Sequence, residues 1–347
     1  MKFEELAKSF SQKKLPHSEI ELSGEIPAAT VAEYRTQALT HLAEHLELPG
    51  FRKGNVPHDV ALKKIGEMAV LEEAVELMMR DFYPELIMLK KIDAVSRPDI
   101  RITKLAPGNP VAITIRTATY PKIELPKNWR ALAEKIESEK PSETSDEEVT
   151  KTLESIRANR AFAAKEGTPG TEELPDINDE FARSIGAFAD LADLTAKIKQ
   201  GIGEEKLRAA RDKRRGKIID ALLEKINVDM PRVFVESELE KILAQLKDDV
   251  ARIGRPFEEY LKKIGKTEES LREEFRAQAE KRAKLQLTLN ELAEQEKIKP
   301  DEKDVEEEMK HAVEHFPKAK PDLLRVHIQT VLRNEKVLTM LESAENA

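Results

Sequence analysis

Two pentapeptides in this sequence have the residue types and spacing for metal chemistry. His41-Leu42-Ala43-Glu44-His45 and His311-Ala312-Val313-Glu314-His315 both read H-x-x-E-H, a metallopeptidase spacing. On a helix, histidines four residues apart share a face and suit two corners of a tetrahedral zinc site. A zinc metallopeptidase is therefore the enzyme reading that these residues admit. Catalysis also needs a third ligand and a supporting shell, and neither is identifiable in the sequence. Helices dense in glutamate generate the pattern by chance, so no metal site is assigned. Gly265-Lys266-Thr267 ends like a phosphate-binding loop. The earlier glycine that loop needs falls on Tyr260, and no strand leads into it. The tripeptide reads instead as a helix stop followed by the N-cap of the next helix. No residue is assigned a catalytic role, and no cofactor is implied.

Binding chemistry is better represented. Leu48-Pro49-Gly50-Phe51-Arg52-Lys53-Gly54-Asn55-Val56-Pro57 places an aromatic ring beside two adjacent cations, flanked by turn formers. Loops held on rigid elements are common binding sites. Arginine and lysine can contact phosphate, and arginine can also grip a carboxylate with two hydrogen bonds. The plainer alternative is an ordinary helix–helix turn whose phenylalanine tucks inward. The basic run Arg208–Lys217 (RAARDKRRGK) raises nucleic-acid binding. Its neighbours Ile218, Ile219, Leu222, Leu223 and Ile226 form a helical apolar stripe, so a solvated face opposite a packed one is the favoured account. Met78, Met79 and Met88 would suit an adaptable binding surface, or equally an ordinary core.

The elements that must position these residues fall into two kinds. Ser18–Glu25 alternates apolar and polar residues as a strand does, with Ile20 and Leu22 on one face. A helical run from Pro27 to Leu46 follows, then turns at Pro49-Gly50 and Gly54-Asn55. A second helical stretch covers about His58 to Lys91, with a break at Gly66. Strand-like segments near Ile100–Leu105 and Val111–Tyr120 are joined by Pro107-Gly108-Asn109-Pro110, a hairpin-type connection. This pattern predicts an α+β domain of about 125 residues. From Lys127 onward the sequence is almost entirely helical. Ser145 with Glu148 forms a capping-box pattern opening a helix that ends near Ala164. Lys165–Asp176 (KEGTPGTEELPD) is the clearest connector. Glycines and prolines at Gly186, Gly201/Gly203, Pro231, Gly254/Pro256, Gly265, Pro300 and Pro317/Pro321 punctuate the helices beyond. The runs Pro231–Ile253 and Thr267–Lys297 are long, and neither sustains a heptad, which disfavours a simple coiled coil.

Composition sets the limits. The 347 residues are 36% charged and only 5% aromatic, against roughly 25% charged in an average domain. Such a chain favours long solvated helices with thin cores. The absence of cysteine excludes disulfides, thiolate nucleophiles and cysteine-based metal sites. The opening MKFEELAKSF has no apolar run with a cleavage site, and no stretch approaches ~18 apolar residues. A cytoplasmic address without membrane contact is expected. Net charge is −8 but uneven: residues 1–135 carry 20 Lys+Arg against 19 Asp+Glu, and the remainder 38 against 47. The first third is thus the better candidate to touch an anionic partner.

The string PGFRKGNVP resembles the ribosome-docking signature of bacterial trigger factors. In that family a similar loop joins the two long helices of the N-terminal domain. The surrounding order of strand, helix, signature, helix and paired strands ending in YPKIELP matches as well. Leu174–Lys199, Phe257–Phe275 and Lys299–Met309 resemble segments of the family's C-terminal domain. The resemblance covers nearly the whole chain. It implies that Gly50, Phe51, Arg52, Lys53 and Pro57 form a ribosome-binding site beside the exit tunnel, touching ribosomal protein and rRNA. The signature's second lysine is Asn55 here, which would weaken docking or alter its salt dependence.

The implied architecture is α+β and predominantly α: an N-terminal docking domain (1–126) and an elongated, multi-helix C-terminal domain with projecting arms (127–347). Family members typically insert a prolyl-isomerase domain where residues 165–176 stand. Twelve or so residues cannot build one. The expectation is an ATP-independent chaperone that docks on the ribosome, holds unfolded nascent polypeptides, lacks isomerase activity and forms a homodimer when free. The rivals are the zinc metallopeptidase, a ribosome-independent holdase, and an RNA-binding module, which the near-neutral first third does not support.

Overall fold

The computed structural model describes residues 3–49, 51, 56–164 and 176–343. In chain order the elements are α1 (Glu4–Ser9), β1 (Ser11–Leu15), β2 (Glu19–Ile26), α2 (Ala28–Ala32), α3 (Arg35–Glu44), α4 (His58–Ile65), α5 (Glu67–Leu89), β3 (Asp99–Lys104) and β4 (Val111–Ala118). Helices follow: α6 (Trp129–Glu134), α7 (Asp146–Ala164), α8 (Asp179–Ile185), α9 (Leu191–Lys225), α10 (Arg232–Arg252), α11 (Phe257–Ile264), α12 (Glu268–Gln295), α13 (Glu302–His315) and α14 (Pro321–Ser343). The class is α+β and mostly α. The chain divides into two compact units, one of residues 1–124 with 227–287, the other of 125–226 with 288–347.

In the first unit the strands form one antiparallel sheet, ordered β1-β2-β4-β3. Alternation puts Ile20, Leu22 and Ile26 of β2 on the same face as Val111, Ile113 and Ile115 of β4, and all six are buried. Register pairs Leu22 with Ile115 and Ile26 with Val111, so apolar side chains meet across the strands. Val70, Ala74, Val75, Met78, Phe82 and Leu86 of α5 join this core. Phe82 sits with ring centroids 5.2 Å from both Phe3 and Phe10, an aromatic cluster at favourable spacing. The cluster has one steric requirement. A Cβ on Gly24 of β2 would stand 2.6 Å from the Phe10 ring, so only glycine leaves room for it.

Several expected boundaries shift for identifiable reasons. The run from Pro27 to Leu46 is two helices, α2 and α3, parted at Glu33 and Tyr34. The Tyr34 hydroxyl donates to Asp81 of α5 at 2.8 Å, and Arg35 makes a two-pronged pair with Glu67. Gly66 separates α4 from α5 with φ +89°, a left-handed conformation that a side chain would strain. The strand β1 has no apolar alternation. It is an edge strand, and four of its five residues are exposed, so no core selects its pattern. The opposite edge, β3, is exposed throughout. It is blunted by an irregularity between Ile102 and Lys104 and by Asp99, Arg101 and Lys104, the usual protection against edge pairing.

The remaining part of the first unit is α10, α11 and α12 as far as Leu287. Val235, Leu239, Ile242, Leu243 and Val250 of α10 and Leu271, Ala279, Ala283 and Leu287 of α12 are buried. Arg272 reaches Glu236 (3.0 Å) and Glu240 (2.7 Å), and Arg276 reaches Glu236 (3.1 Å). These fix how the two helices lie against each other. Gly265 ends α11 in the left-handed region, and Thr267 Oγ1 accepts from the Ser270 amide at 3.1 Å. The Gly-Lys-Thr sequence is thus a helix stop and an N-cap.

In the second unit, the capping box opening α7 is complete. The Ser145 amide donates to Glu148 Oε2 (2.9 Å), and the Glu148 amide donates to Ser145 Oγ (3.3 Å). Val149, Leu153, Phe181, Ala182 and Leu194 make a small core from α7, α8 and α9. Gly201 and Gly203 do not break a helix, contrary to expectation. Both lie inside the 35-residue α9, whose packed stripe continues past them.

Two glycine substitutions are expected to move stability in opposite directions. Gly24→Ala should destabilise by about 1–3 kcal/mol, through forced movement of Phe10. Gly201→Ala, which is exposed with nothing near its added methyl, should stabilise by about 0.5–1 kcal/mol. Thermal melts of the two variants beside wild type check both signs.

Candidate docking loop and exposed apolar faces

The segment between α3 and α4 is shaped by where its aliphatic residues go. Ala43, at the end of α3, is buried, and Leu46 and Leu48 pack partly buried against the sheet-and-helix core. Val56 returns to the same core on the far side of the loop. Backbone bonds tighten the path: Leu46 N–H to Ala43 O at 3.2 Å, and Phe51 N–H to Leu48 O at 3.1 Å. Pro57 then starts α4, with its carbonyl accepting from Val60 (3.0 Å) and Ala61 (2.9 Å). Proline suits a helix entrance because it lacks the N–H that would go unpaired there.

The loop's apolar stems point inward and its aromatic does not. Phe51 is 42% exposed, so it is no core residue tucked into a turn. Pro57 is exposed too. Gly50, Arg52 and Lys53, assigned to the same site from sequence, lie outside the described residues, as do Gly54 and Asn55.

The first H-x-x-E-H segment lies on and just past α3. His41 Nδ1 is 2.8 Å from Glu73 Oε1 on α5, and the rings of His41 and His45 are 5.6 Å apart. His311 and His315 are exposed on α13. Among the described residues, no three His, Cys, Asp or Glu side chains are placed to hold a metal ion. Also among the described residues, no helix is long and apolar enough to cross a membrane.

The basic run of α9 is engaged by acids and carbonyls of its own unit. Lys213 and Lys217 both reach Glu139 (2.7 and 2.6 Å), and Lys206 reaches Glu148 (2.7 Å). Arg215 pairs with Glu342 and Glu335 of α14, which raise its pKa further. Arg214 is buried and donates to the carbonyls of Ile136 (2.7 Å) and Glu342 (2.8 Å). The expected solvated face is present, since Arg208, Arg211, Lys213 and Lys217 are exposed opposite the buried Ile218, Leu222 and Leu223; its acidic partners leave less net charge for a phosphate backbone.

Apolar side chains reach the surface elsewhere. On α11, Phe257, Tyr260, Leu261 and Ile264 follow helical spacing; the first three are half-buried and Ile264 is exposed. Phe257 and Tyr260 stack at 6.1 Å, Lys247 lies over the Phe257 ring at 5.2 Å, and the nearby Ile253 is 66% exposed. In the second unit, Phe316 and Leu323, between and within α13 and α14, are 63% and 65% exposed, with Val313 and Val326 also open. The methionines divide: Met78 and Met79 are core, and Met88 is exposed. The spacing 257-260-261-264 was legible in the sequence. The uncovered state of α13 and α14 was not, because periodicity marks an apolar face without saying what covers it.

Comparisons with known proteins fit this arrangement. The family model described as bacterial trigger factor protein (TF) matches residues 8–156, and the model for the bacterial trigger factor protein (TF) C-terminus matches residues 190–343. Among curated relatives, the trigger factor of Halothermothrix orenii is 25% identical, covering 92% of each chain. That of Carboxydothermus hydrogenoformans is 22% identical, covering 96% of this chain and 99% of the relative. The latter alignment runs over 426 positions, more than the 347 residues of this chain, so the relative has residues for which this chain has no counterpart. A solved structure from work on promiscuous substrate recognition in folding and assembly activities of the trigger factor chaperone shares the fold. Its TM-score is 0.55 at 18% identity, over 96% of this chain and 99% of that one.

The carboxylate at the centre of the α9 pairing should show in pH dependence. Hydrogen bonds from Lys213 and then Lys217 pull the Glu139 carboxyl from 4.5 down to about 2. A depressed carboxylate contributes stability that is full above its unfolded pKa and lost as pH falls through its folded one. The stability margin of wild type over Glu139→Gln should thus be constant above about pH 4.5 and vanish near pH 2. Denaturant unfolding at low salt, repeated down the pH range, measures it.

Proposed function

The chain belongs to the trigger factor family, and from that premise we propose that it is an ATP-independent chaperone that docks on the ribosome and holds emerging polypeptides without isomerising prolines. The observation that carries this reading is the loop between α3 and α4. Its stems pack against the core, its ring is exposed, and two adjacent cations follow that ring in sequence. An aromatic beside Arg52 and Lys53 suits a surface of ribosomal protein and rRNA, where the ring gives contact area and the cations give electrostatic attraction. Pro57 sets the helix entrance, and Gly50 completes the site as the sequence assigns it. The module that docks is residues 1–126.

Residues 127–347 form the holding part. Its candidate contacts are the exposed Ile253 and Ile264 flanking the half-buried face of α11, and the exposed apolar residues of α13–α14. Shallow, scattered apolar patches set among charges favour weak binding to many sequences, whereas a deep pocket would select a few. This mode needs no catalytic residue, nucleotide or metal. A cytoplasmic location follows from the ribosomal partner, and self-association of the free protein would cover the same exposed residues. The short connector between α7 and α8, together with the longer alignments of the relatives, supports the absence of an isomerase domain.

The test is co-sedimentation with purified ribosomes at low salt. Wild type should pellet, and the Phe51→Ala/Arg52→Ala/Lys53→Ala variant should stay in the supernatant. Wild type should also leave proline-limited refolding of a model substrate at its uncatalysed rate. Failure of wild type to pellet at any salt concentration would remove the docking half of the reading. Accelerated refolding would remove the other claim.

A further inference from the structure

The turn between β1 and β2 carries backbone strain that its own sequence does not explain. His17 and Ser18 have φ +62° and +49°, and Glu19 N–H closes the turn onto Pro16 O at 3.4 Å. Three residues separate the paired Leu15 and Glu19, and glycine, asparagine or aspartate normally fills successive left-handed turn positions such as these. A histidine and a serine there are unfavourable. In this conformation the two backbone N–H groups point the same way and form a small anion-binding concavity.

That concavity is filled by the chain itself. Asp229, in the connection between α9 and α10, accepts from His17 N–H through Oδ1 at 2.8 Å and from Ser18 N–H through Oδ2 at 2.7 Å. Ser18 Oγ donates to the Asp229 backbone carbonyl at 2.6 Å. The remaining polar group of Ser18, its carbonyl, accepts from Thr119 N–H (2.8 Å) and Thr119 Oγ1 (2.9 Å). Ser18 thus links the hairpin, the end of β4 and the entry to α10. Next to Thr119, the Tyr120 ring meets Phe234 of α10 edge-on at 6.1 Å. Among the described residues, the carboxylate clasp joins the sheet of residues 1–124 to the segment 227–287 across more than 200 residues of sequence, and the Tyr120–Phe234 ring contact adds to it.

We propose that Asp229 is a positioning residue: its carboxylate, seated in the His17–Ser18 turn, fixes α10, and with it α11, against the N-terminal sheet. The clasp stands on geometry alone. Its consequence, that a docked N-terminal module sets where α11 lies, rests on the function proposed above. Carboxylate-to-amide bonds are stronger than neutral ones, and two of them converge on a turn that is strained without them. Removing the acid should therefore release both the turn and the helix entry.

The chain has no cysteine, so two introduced thiols label it uniquely. Spin labels on Gln12→Cys in β1 and Ser237→Cys in α10, both exposed, report the distance across the clasp by pulsed electron resonance. The full chain should give one narrow distance distribution, and Asp229→Ala should broaden or shift it. Amide exchange at His17 and Ser18 should rise roughly tenfold or more. Asp229→Asn keeps one acceptor oxygen and should fall between the two, which decides the matter if the alanine variant folds poorly. An unchanged distribution and unchanged exchange in both variants would overturn the clasp. Ribosome pelleting of the same variants separates the two ideas. Loss of the clasp with normal pelleting leaves the docking reading intact, and a wild type that never pellets leaves the clasp measurement standing.

Discussion

The functional account depends on where three aliphatic side chains go. Leu46, Leu48 and Val56 leave the loop between α3 and α4 and join the core built on β2, β4 and α5. Burying an aliphatic side chain is worth about 1.5–3 kcal/mol when complete, and two of these are only partly buried. These anchors hold both stems of the loop to the core, while Phe51 stays 42% exposed. The same core needs Gly24 to be bare so that Phe10 can reach Phe82. Packing deep in the sheet and presentation at the loop belong to one set of contacts.

Away from that core the chain solves a different problem. With few rings and many charges, the helical regions cannot be ordered by thick apolar layers. Ion pairs take over the task of orientation. Each exposed pair contributes little to stability, on the order of 0–1 kcal/mol. Glu139, Glu148, Glu335 and Glu342 nevertheless collect the cations of α9, and Glu236 collects two arginines of α12. Large side chains such as Ile253 and Phe316 are exposed among these charged helices. A surface of this kind is suited to transient contact with unfolded chains.

Much of this was legible in the sequence, for local reasons. The alternation in 18–25 and 111–120, the Ser145–Glu148 cap and the Gly265–Thr267 stop each encode structure within a few residues, and each appears in the fold. What was illegible depends on distant partners. The strand β1 has no pattern of its own and forms because β2 accepts it. Gly201 reads as a break, but the apolar stripe on both sides of it carries α9 through. The left-handed pair His17–Ser18 has no turn signature, and its partner is Asp229. The basic run of α9 reads as a solvated face and mostly is one, but its acidic partners were illegible because they come from the segment before α7 and from α14. Of the loop's sequence-assigned residues, the structure places Phe51 and Pro57. The chemistry of Arg52 and Lys53 is known from their side chains alone.

The central claim is that the apex of this loop touches the ribosome. The most direct measurement replaces Phe51 with a photo-crosslinking phenylalanine analogue, irradiates the full chain with purified ribosomes, and identifies what is captured. The account expects a crosslink to a ribosomal component beside the exit tunnel that weakens as salt rises. The same analogue at the exposed Met88 serves as control. Equal capture from both positions, or none from position 51, would contradict it.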